Sequence, residues 1–243
     1  MPDHRTLYDQ NPGEYEELVS REDHEENLLP ALEELCPLEG ALVVELGAGT
    51  GRLTRLVAPR AAGVTALDGA EAMLRFGEGL NKAAGLTRVT YDVADHRNLP
   101  APSGEADLAL AGWTLSYFAT WKVPGWQDET AKALKEMFRV VKEGGMVLIL
   151  ETLGTGHHTP VEPTPELAAF YRFLEQDWGF HRTWIRTDYR FDSVEEAERI
   201  AGFFFGAEMA DKIRANRWAI LPECTGLWCR RKGESPPSAA PCL

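Results

Sequence analysis

Val43-Val44-Glu45-Leu46-Gly47-Ala48-Gly49-Thr50-Gly51-Arg52-Leu53-Thr54 is the stretch that decides the fold. The apolar run from Ala41 to Leu46 predicts a buried strand, and three glycines at alternate positions follow it directly. Leu53, Leu56 and Val57, spaced by three and four, predict a helix after the turn. Glycine is needed where a backbone must turn sharply and let a ligand approach with no Cβ in the way. The amides that open the following helix then face whatever lies in the turn. Strand, glycine turn and helix in this order form the nucleotide-binding corner of a doubly wound α/β sheet. A dinucleotide fingerprint would need its third glycine at position 52 or 54, where Arg52 and Thr54 stand. That spacing excludes a nicotinamide-dependent oxidoreductase.

Whole-chain chemistry narrows the partners. With 25 basic and 38 acidic residues the net charge is −13, a poor match to phosphate backbones. Nucleic acid is therefore not expected as a partner. At 243 residues the chain can hold one full α/β domain with an elaboration. Cys36, Cys224, Cys229 and Cys242 have neither C-x-x-C nor metal-ligand spacing, so free thiols and no metal site are expected. Cys224 and Cys229, five apart, should point to opposite faces of one strand. No apolar run is long enough to span a membrane, and Met1-Pro2-Asp3-His4-Arg5 has no signal-peptide core. A cytoplasmic protein with no membrane partner, as monomer or homodimer, is the expectation.

Patterning along the chain alternates strands and helices. Leu28, Leu29, Leu32 and Leu35 form a helical stripe that Cys36-Pro37-Leu38-Glu39-Gly40 stops. Strands are expected at 63–67, ending at Asp68, and at 86–93, 106–111 and 146–151. Helices are expected at 70–84 and at 127–142, the second stopped by Gly144-Gly145. Such alternation implies a parallel sheet with helices on both faces. The rhythm then breaks. Residues 152–179 are rich in Gly and Pro and end in an aromatic helix with Phe170, Tyr171, Phe173, Leu174 and Trp178. Residues 183–191 predict a half-exposed strand, Ser193-Val194-Glu195-Glu196 a capping box opening a long helix to about Asn216, and 217–231 a last strand interrupted by Pro222 and Gly226.

The pattern E-x-G-x-G-x-G from Glu45 to Gly51 resembles the first motif of class I S-adenosylmethionine-dependent methyltransferases. Glu136-Met137-Phe138-Arg139-Val140-Val141-Lys142-Glu143-Gly144-Gly145 resembles the helix-to-strand signature of that family, with Glu143 in place of its usual proline. The resemblance covers about Leu42 to Glu151. It implies a Rossmann-like doubly wound mixed sheet of seven strands, mainly parallel, with an antiparallel C-terminal hairpin. It also implies S-adenosylmethionine as cofactor and S-adenosylhomocysteine as product. The domain reading is an N-terminal helical segment, 1–40, covering the cofactor, a methyltransferase domain, 41–232, with a lid at about 152–180, and a loose tail, 233–243.

Site residues follow from the same resemblance. Glu45 supports the turn, and Gly47, Ala48, Gly49 and Gly51 lie under the methionine part of the cofactor. Asp68, with Gly69 after it, ends the second strand, where a carboxylate can accept both ribose hydroxyls; Asp68-Gly69-Ala70-Glu71 also fits a helix N-cap. Met73 packs near the adenosine. Val93-Ala94-Asp95-His96-Arg97-Asn98-Leu99-Pro100 resembles the adenine-clamping loop, with Asp95 preferred over Asp92 as its acid and the His96 amide as donor. His96 stands where the family has a small residue, and its ring is expected on the exposed side of the loop. Leu7-Tyr8-Asp9 and Glu14-Tyr15 resemble the tyrosine-bearing segment that folds over the cofactor, which nominates Tyr8. Gly112 and Trp113 lie at the carboxyl end of the fourth strand, where open α/β sheets present ligands.

Methyl transfer from a sulfonium is an in-line displacement that mainly needs alignment, and a base where the acceptor carries an unreactive OH or NH. Trp113 and Tyr117 are candidates to line the acceptor pocket, since ring faces favour a cation. His157, beside His158, is the candidate base. The aromatic, nearly uncharged lid suggests a small-molecule methyl acceptor. A cofactor-binding regulatory or scaffold protein without catalysis is the competing reading.

Overall fold

The computed structural model describes residues 10–234. Tyr8 and most of the C-terminal tail, 235–243, lie outside the described residues. The elements run in order from α1 (Pro12–Val19) and α2 (Leu28–Leu35) into β1 (Leu42–Leu46), the glycine turn and the short α3 (Arg52–Val57). There follow β2 (Gly63–Asp68), α4 (Glu71–Ala83), β3 (Val89–Val93), β4 (Ala106–Gly112), α5 (Tyr117–Thr120), α6 (Trp126–Val140) and β5 (Val141–Thr155). The last third holds α7 (Pro165–Arg172), which runs into one π-helical turn (Phe173–Asp177), then β6 (His181–Arg186), β7 (Tyr189–Arg190), α8 (Val194–Phe205), α9 (Ala207–Asn216), β8 (Ile220–Leu221) and β9 (Glu223–Arg231).

Seven strands form one sheet in the order β3-β2-β1-β4-β5-β9-β6. The first five are mutually parallel, and β9 runs antiparallel between β5 and β6. This is the expected mixed, doubly wound sheet. Strand alternation divides the core between its two faces. Val43, Leu108, Leu110, Leu148 and Leu150 face α2 and α3. Val44, Ala109, Ala111, Val147 and Ile149 face α6 and α7. Cys224 and Cys229 of β9 divide in the same way, one on each face, and both are free thiols. No helix among the described residues is long and apolar enough to cross a membrane.

Several boundaries differ from the sequence pattern. Helix α6 ends at Val140, before Gly144-Gly145, because Val141 already pairs with Ala106 and the Gly144 amide donates to Lys232 O at 3.1 Å. The strand expected over 183–191 breaks after Arg186. There the Thr187 hydroxyl turns inward to Glu22 and Thr225, and Asp188 accepts from the Glu223 amide. The long helix after the capping box splits into α8 and α9 at Gly206, whose φ of +93° is closed to most side chains. Half of the box forms as expected: Ser193 Oγ accepts from Glu196 N at 3.1 Å, while the Glu196 carboxylate accepts at 2.6 Å from the amide of Asp192, one residue before the cap.

The segment expected as a lid, 152–180, divides as well. Phe170, Tyr171 and Leu174 are fully buried in the sheet core, because an aromatic stripe at helical spacing finds its largest apolar partner there. A separate small core stands beyond the sheet, where Leu18 of α1 packs with Tyr189, Ile200, Ala201, Ile213 and Leu221 from β7, α8, α9 and β8.

Trp228 anchors the antiparallel half. Its ring is fully buried, stacks on Tyr171 at 4.6 Å, and its Nε1 donates to Glu175 at 2.9 Å. Trp228→Ala should cost about 3–5 kcal/mol in urea unfolding. Removal of the exposed Trp184 ring should stay within about 0.5 kcal/mol. Equal effects of the two would contradict this packing.

Candidate functional site

The strand order reverses between β1 and β4, and the crevice outside their carboxyl ends is where such sheets take ligands. Gly47, Gly49 and Gly51 turn the chain there with φ of +67°, +55° and +83°. A Cβ on Gly47 would stand 2.4 Å from Thr114 Oγ1, so only glycine lets the turn reach the end of β4. Glu45 buttresses the turn from behind, accepting a hydrogen bond from Thr54 Oγ1 at 2.6 Å.

Asp68 stands at the end of β2. Its Oδ2 accepts from the Gly49 amide and its Oδ1 from the Ala70 amide, each at 2.7 Å. Each oxygen keeps a second lone pair for a further donor. Of the two readings open for Asp68, the helix cap with a return partner is not what forms. Ala70 takes the cap position, and Glu71 pairs with Arg75 instead.

A cavity of about 680 Å³ opens over this corner, within the size range of small-molecule sites. Gly47, Gly49, Asp68, Gly69, Met73 and Ala70 form its floor. Asp95, His96, Gly112, Trp113 and Tyr117 stand in its walls, with Tyr15 from α1 opposite. Asp92 is exposed and lies outside it. Ala48 and Gly51 lie behind, the Gly51 amide donating to Ala48 O at 2.8 Å. The Asp95 carboxylate is held by Arg97, whose amide and Nε both donate to Oδ1 at 2.8 Å. This pairing depresses Asp95 to about 2. The His96 ring is half-buried in the wall rather than exposed, and burial lowers its pKa.

A second cavity of about 700 Å³ shares the Tyr15, Gly47, Gly112, Trp113, Tyr117 and Trp121 walls with the first. The elements around the small outer core roof it, through Leu18, Tyr189, Phe204, Phe205 and Met209. Trp113, at the junction, has φ of +50°, a strained conformation of the kind that gathers at ligand sites. The Arg52 guanidinium covers one face of its ring at 4.6 Å and pairs with Glu22 at 2.5 Å. Tyr117 stacks on Trp121 at 4.5 Å. His157 is exposed at the edge of the second cavity, its Nε2 3.5 Å from Lys212 Nζ. His158 lies outside both cavities, against Trp218.

Tyr15, from the second of the two tyrosine-bearing stretches, stands over the glycine turn, while Tyr8 lies outside the described residues. One group of residues escapes the sequence reading. Glu22, Glu151 and Glu223, all buried at the second cavity, are isolated in sequence and carry no spacing signal.

The family assignment rests on this geometry together with kinship. A family model described as "Methyltransferase domain" matches residues 44–149. A demethylmenaquinone methyltransferase of Thermobifida fusca is 31% identical over 181 residues, covering 74% of this chain and 70% of that protein. The chain belongs to the class I S-adenosylmethionine-dependent methyltransferases. Phosphoethanolamine N-methyltransferase 3 of Arabidopsis thaliana is 31% identical over 120 residues, but this chain spans only 23% of that protein. Among solved structures, Haemonchus contortus phosphoethanolamine N-methyltransferase 2 in complex with S-adenosyl-L-methionine superposes with a TM-score of 0.59 at 17% identity. That match covers 96% of this chain and 60% of the other, and supports the fold alone. The cofactor of this methyltransferase is S-adenosylmethionine. The corner fits it: a carboxylate stands at the end of β2, and Gly49 has no side chain between Met73 and Tyr15.

Burial raises the carboxyls of Glu45 and Glu151 to about 7 and lifts Glu223 and Glu22 as well. A carboxyl with a raised folded pKa gives stability that is fully present below its unfolded value and lost as pH rises through the folded one. His96 and His157, both lowered by burial, act in the opposite sense, and only below about 6.5. Stability in urea should therefore fall by about 1.5 kcal/mol or more from about pH 6.5 to about pH 8.5. A rise over that window would contradict the burial of these groups.

Proposed function

We propose that this methyltransferase acts on a small-molecule acceptor held in the second cavity, with the cofactor in the first. The observation that carries this reading is the wall common to both cavities, formed by Gly47, Gly112, Trp113 and Tyr117. Two cavities meeting at one wall suit an in-line transfer, in which alignment is the main requirement. S-adenosylmethionine supplies an electrophilic methyl group on its sulfonium sulfur. The chain's own residues bind and orient. In this reading Asp68 receives the ribose hydroxyls, Asp95 and the His96 amide meet the adenine, and Gly47, Ala48, Gly49 and Gly51 pass beneath the methionine portion. Gly69, Met73 and Gly112 complete that site. Trp113 and Tyr117 border the transfer point, and His157 stands at the outer edge of the acceptor site.

The roof over the second cavity and the net charge of −13 both disfavour a nucleic-acid acceptor. The names of the relatives agree with a small acceptor, one a demethylmenaquinone methyltransferase and the other a phosphoethanolamine N-methyltransferase. The test is incubation with methyl-labelled S-adenosylmethionine and separated pools of small metabolites, RNA and protein. Label should enter the small-molecule pool alone, and Asp68→Ala should slow its transfer at least about tenfold. Label entering RNA or protein instead would contradict the reading.

A further inference from the structure

We propose that the acceptor is an amine, and that its ammonium group binds the carboxyl of Glu223 in the second cavity. This rests on the reading of that cavity as the acceptor site. Glu223 opens β9 directly after Pro222, and it is 2% exposed. The Thr152 hydroxyl donates to its Oε1 at 2.6 Å, with Thr155 beside it, while Oε2 has no partner. A buried carboxyl oxygen without a donor costs the fold free energy, and a ligand that brings a donor recovers it.

The rest of the wall says which donor fits. Six carboxyl groups line the cavity, those of Glu22, Glu45, Glu151, Glu166, Glu208 and Glu223, against two cations, Arg52 and Lys212. Arg52 is paired with Glu22 through its Nη1, while its Nη2 is left without a partner. Glu151 accepts from the Ser116 amide at 3.0 Å and hydroxyl at 2.9 Å, and Glu45 holds Thr54. Burial raises several of these carboxyls, and the wall is short of positive charge to offset it; an ammonium supplies that charge and ionises its partner, whereas an entering carboxylate or phosphate adds further negative charge. Trp113, Tyr117, Phe204 and Phe205 supply ring surface, which also favours a cation. An alcohol brings the donor but not the charge. An amine brings both.

A protonated amine is not a nucleophile, and Glu223 also answers that need. Its Oε2 takes one ammonium proton: the N–H bond breaks, an O–H bond forms on Glu223, and the nitrogen keeps the electron pair. Burial and the neighbouring Glu22 raise this carboxyl toward neutrality, where it can exchange a proton with an amine. His157 is less suited. It is exposed, and its Nε2 faces the Lys212 ammonium.

The test is calorimetric titration of the full chain, first with S-adenosylhomocysteine and then, once saturated, with phenethylamine, 2-phenylethanol and phenylacetate. Failure to bind S-adenosylhomocysteine would be a failure of the cofactor site and is read separately in the first titration. Phenethylamine should bind at least about tenfold more tightly than 2-phenylethanol, and phenylacetate most weakly. Glu223→Gln should lower the amine's affinity about tenfold and Glu223→Asp recover part of it, both keeping S-adenosylhomocysteine affinity within about twofold. Preference for the alcohol or the carboxylate overturns the proposal. So does undiminished amine binding by Glu223→Gln, or no amine binding to the saturated protein.

Discussion

One carboxylate ties the cofactor corner together. Asp68 receives the Gly49 amide on one oxygen and the Ala70 amide on the other, joining the turn after β1 to the start of α4. Hydrogen bonds to an ionised acceptor are the stronger ones, so this clamp holds glycines that have no side chains of their own to fix them. The same oxygens face a cavity and keep lone pairs for a ligand. Structural support and ligand recognition therefore share one side chain.

Around that clamp the molecule has two tiers. The sheet and its helices give a rigid floor whose two faces are filled by alternating residues of β1, β4 and β5. Above it, α1, α8, α9 and the β7–β8 pair close on their own small core and roof the second cavity. Ion pairs between the tiers are partly buried, as between Arg52 and Glu22 and between Arg55 and Glu16. Breaking one partner of such a pair leaves an uncompensated charge, which fixes the position of α1 over the glycine turn.

The floor was legible in the sequence; of the roof, the capped helix after Ser193 was legible, but not its packing over the second cavity. The run Val43 to Thr54 announces strand, turn and helix through two periodicities and three glycines, and these are local signals. Asp68 and Gly112 follow from it because strand ends in this fold have a defined place. Boundaries failed where long-range pairing won over local preference, as at Val140, whose successor Val141 joins the sheet before the glycines are reached. Phe170 and Tyr171 read as a lid by composition, yet burial against Trp126 and Trp228 places them in the core. Glu22, Glu151 and Glu223 are far apart in the chain and meet only once the fold is complete, so no spacing could reveal them.

A crystal structure with S-adenosylhomocysteine tests the central claim most directly. The account predicts the ribose hydroxyls on the Asp68 carboxylate, the adenine against Asp95 and His96, and the sulfur at the wall of Gly47, Gly112 and Trp113. A nucleoside bound elsewhere, or with its ribose away from Asp68, would contradict it.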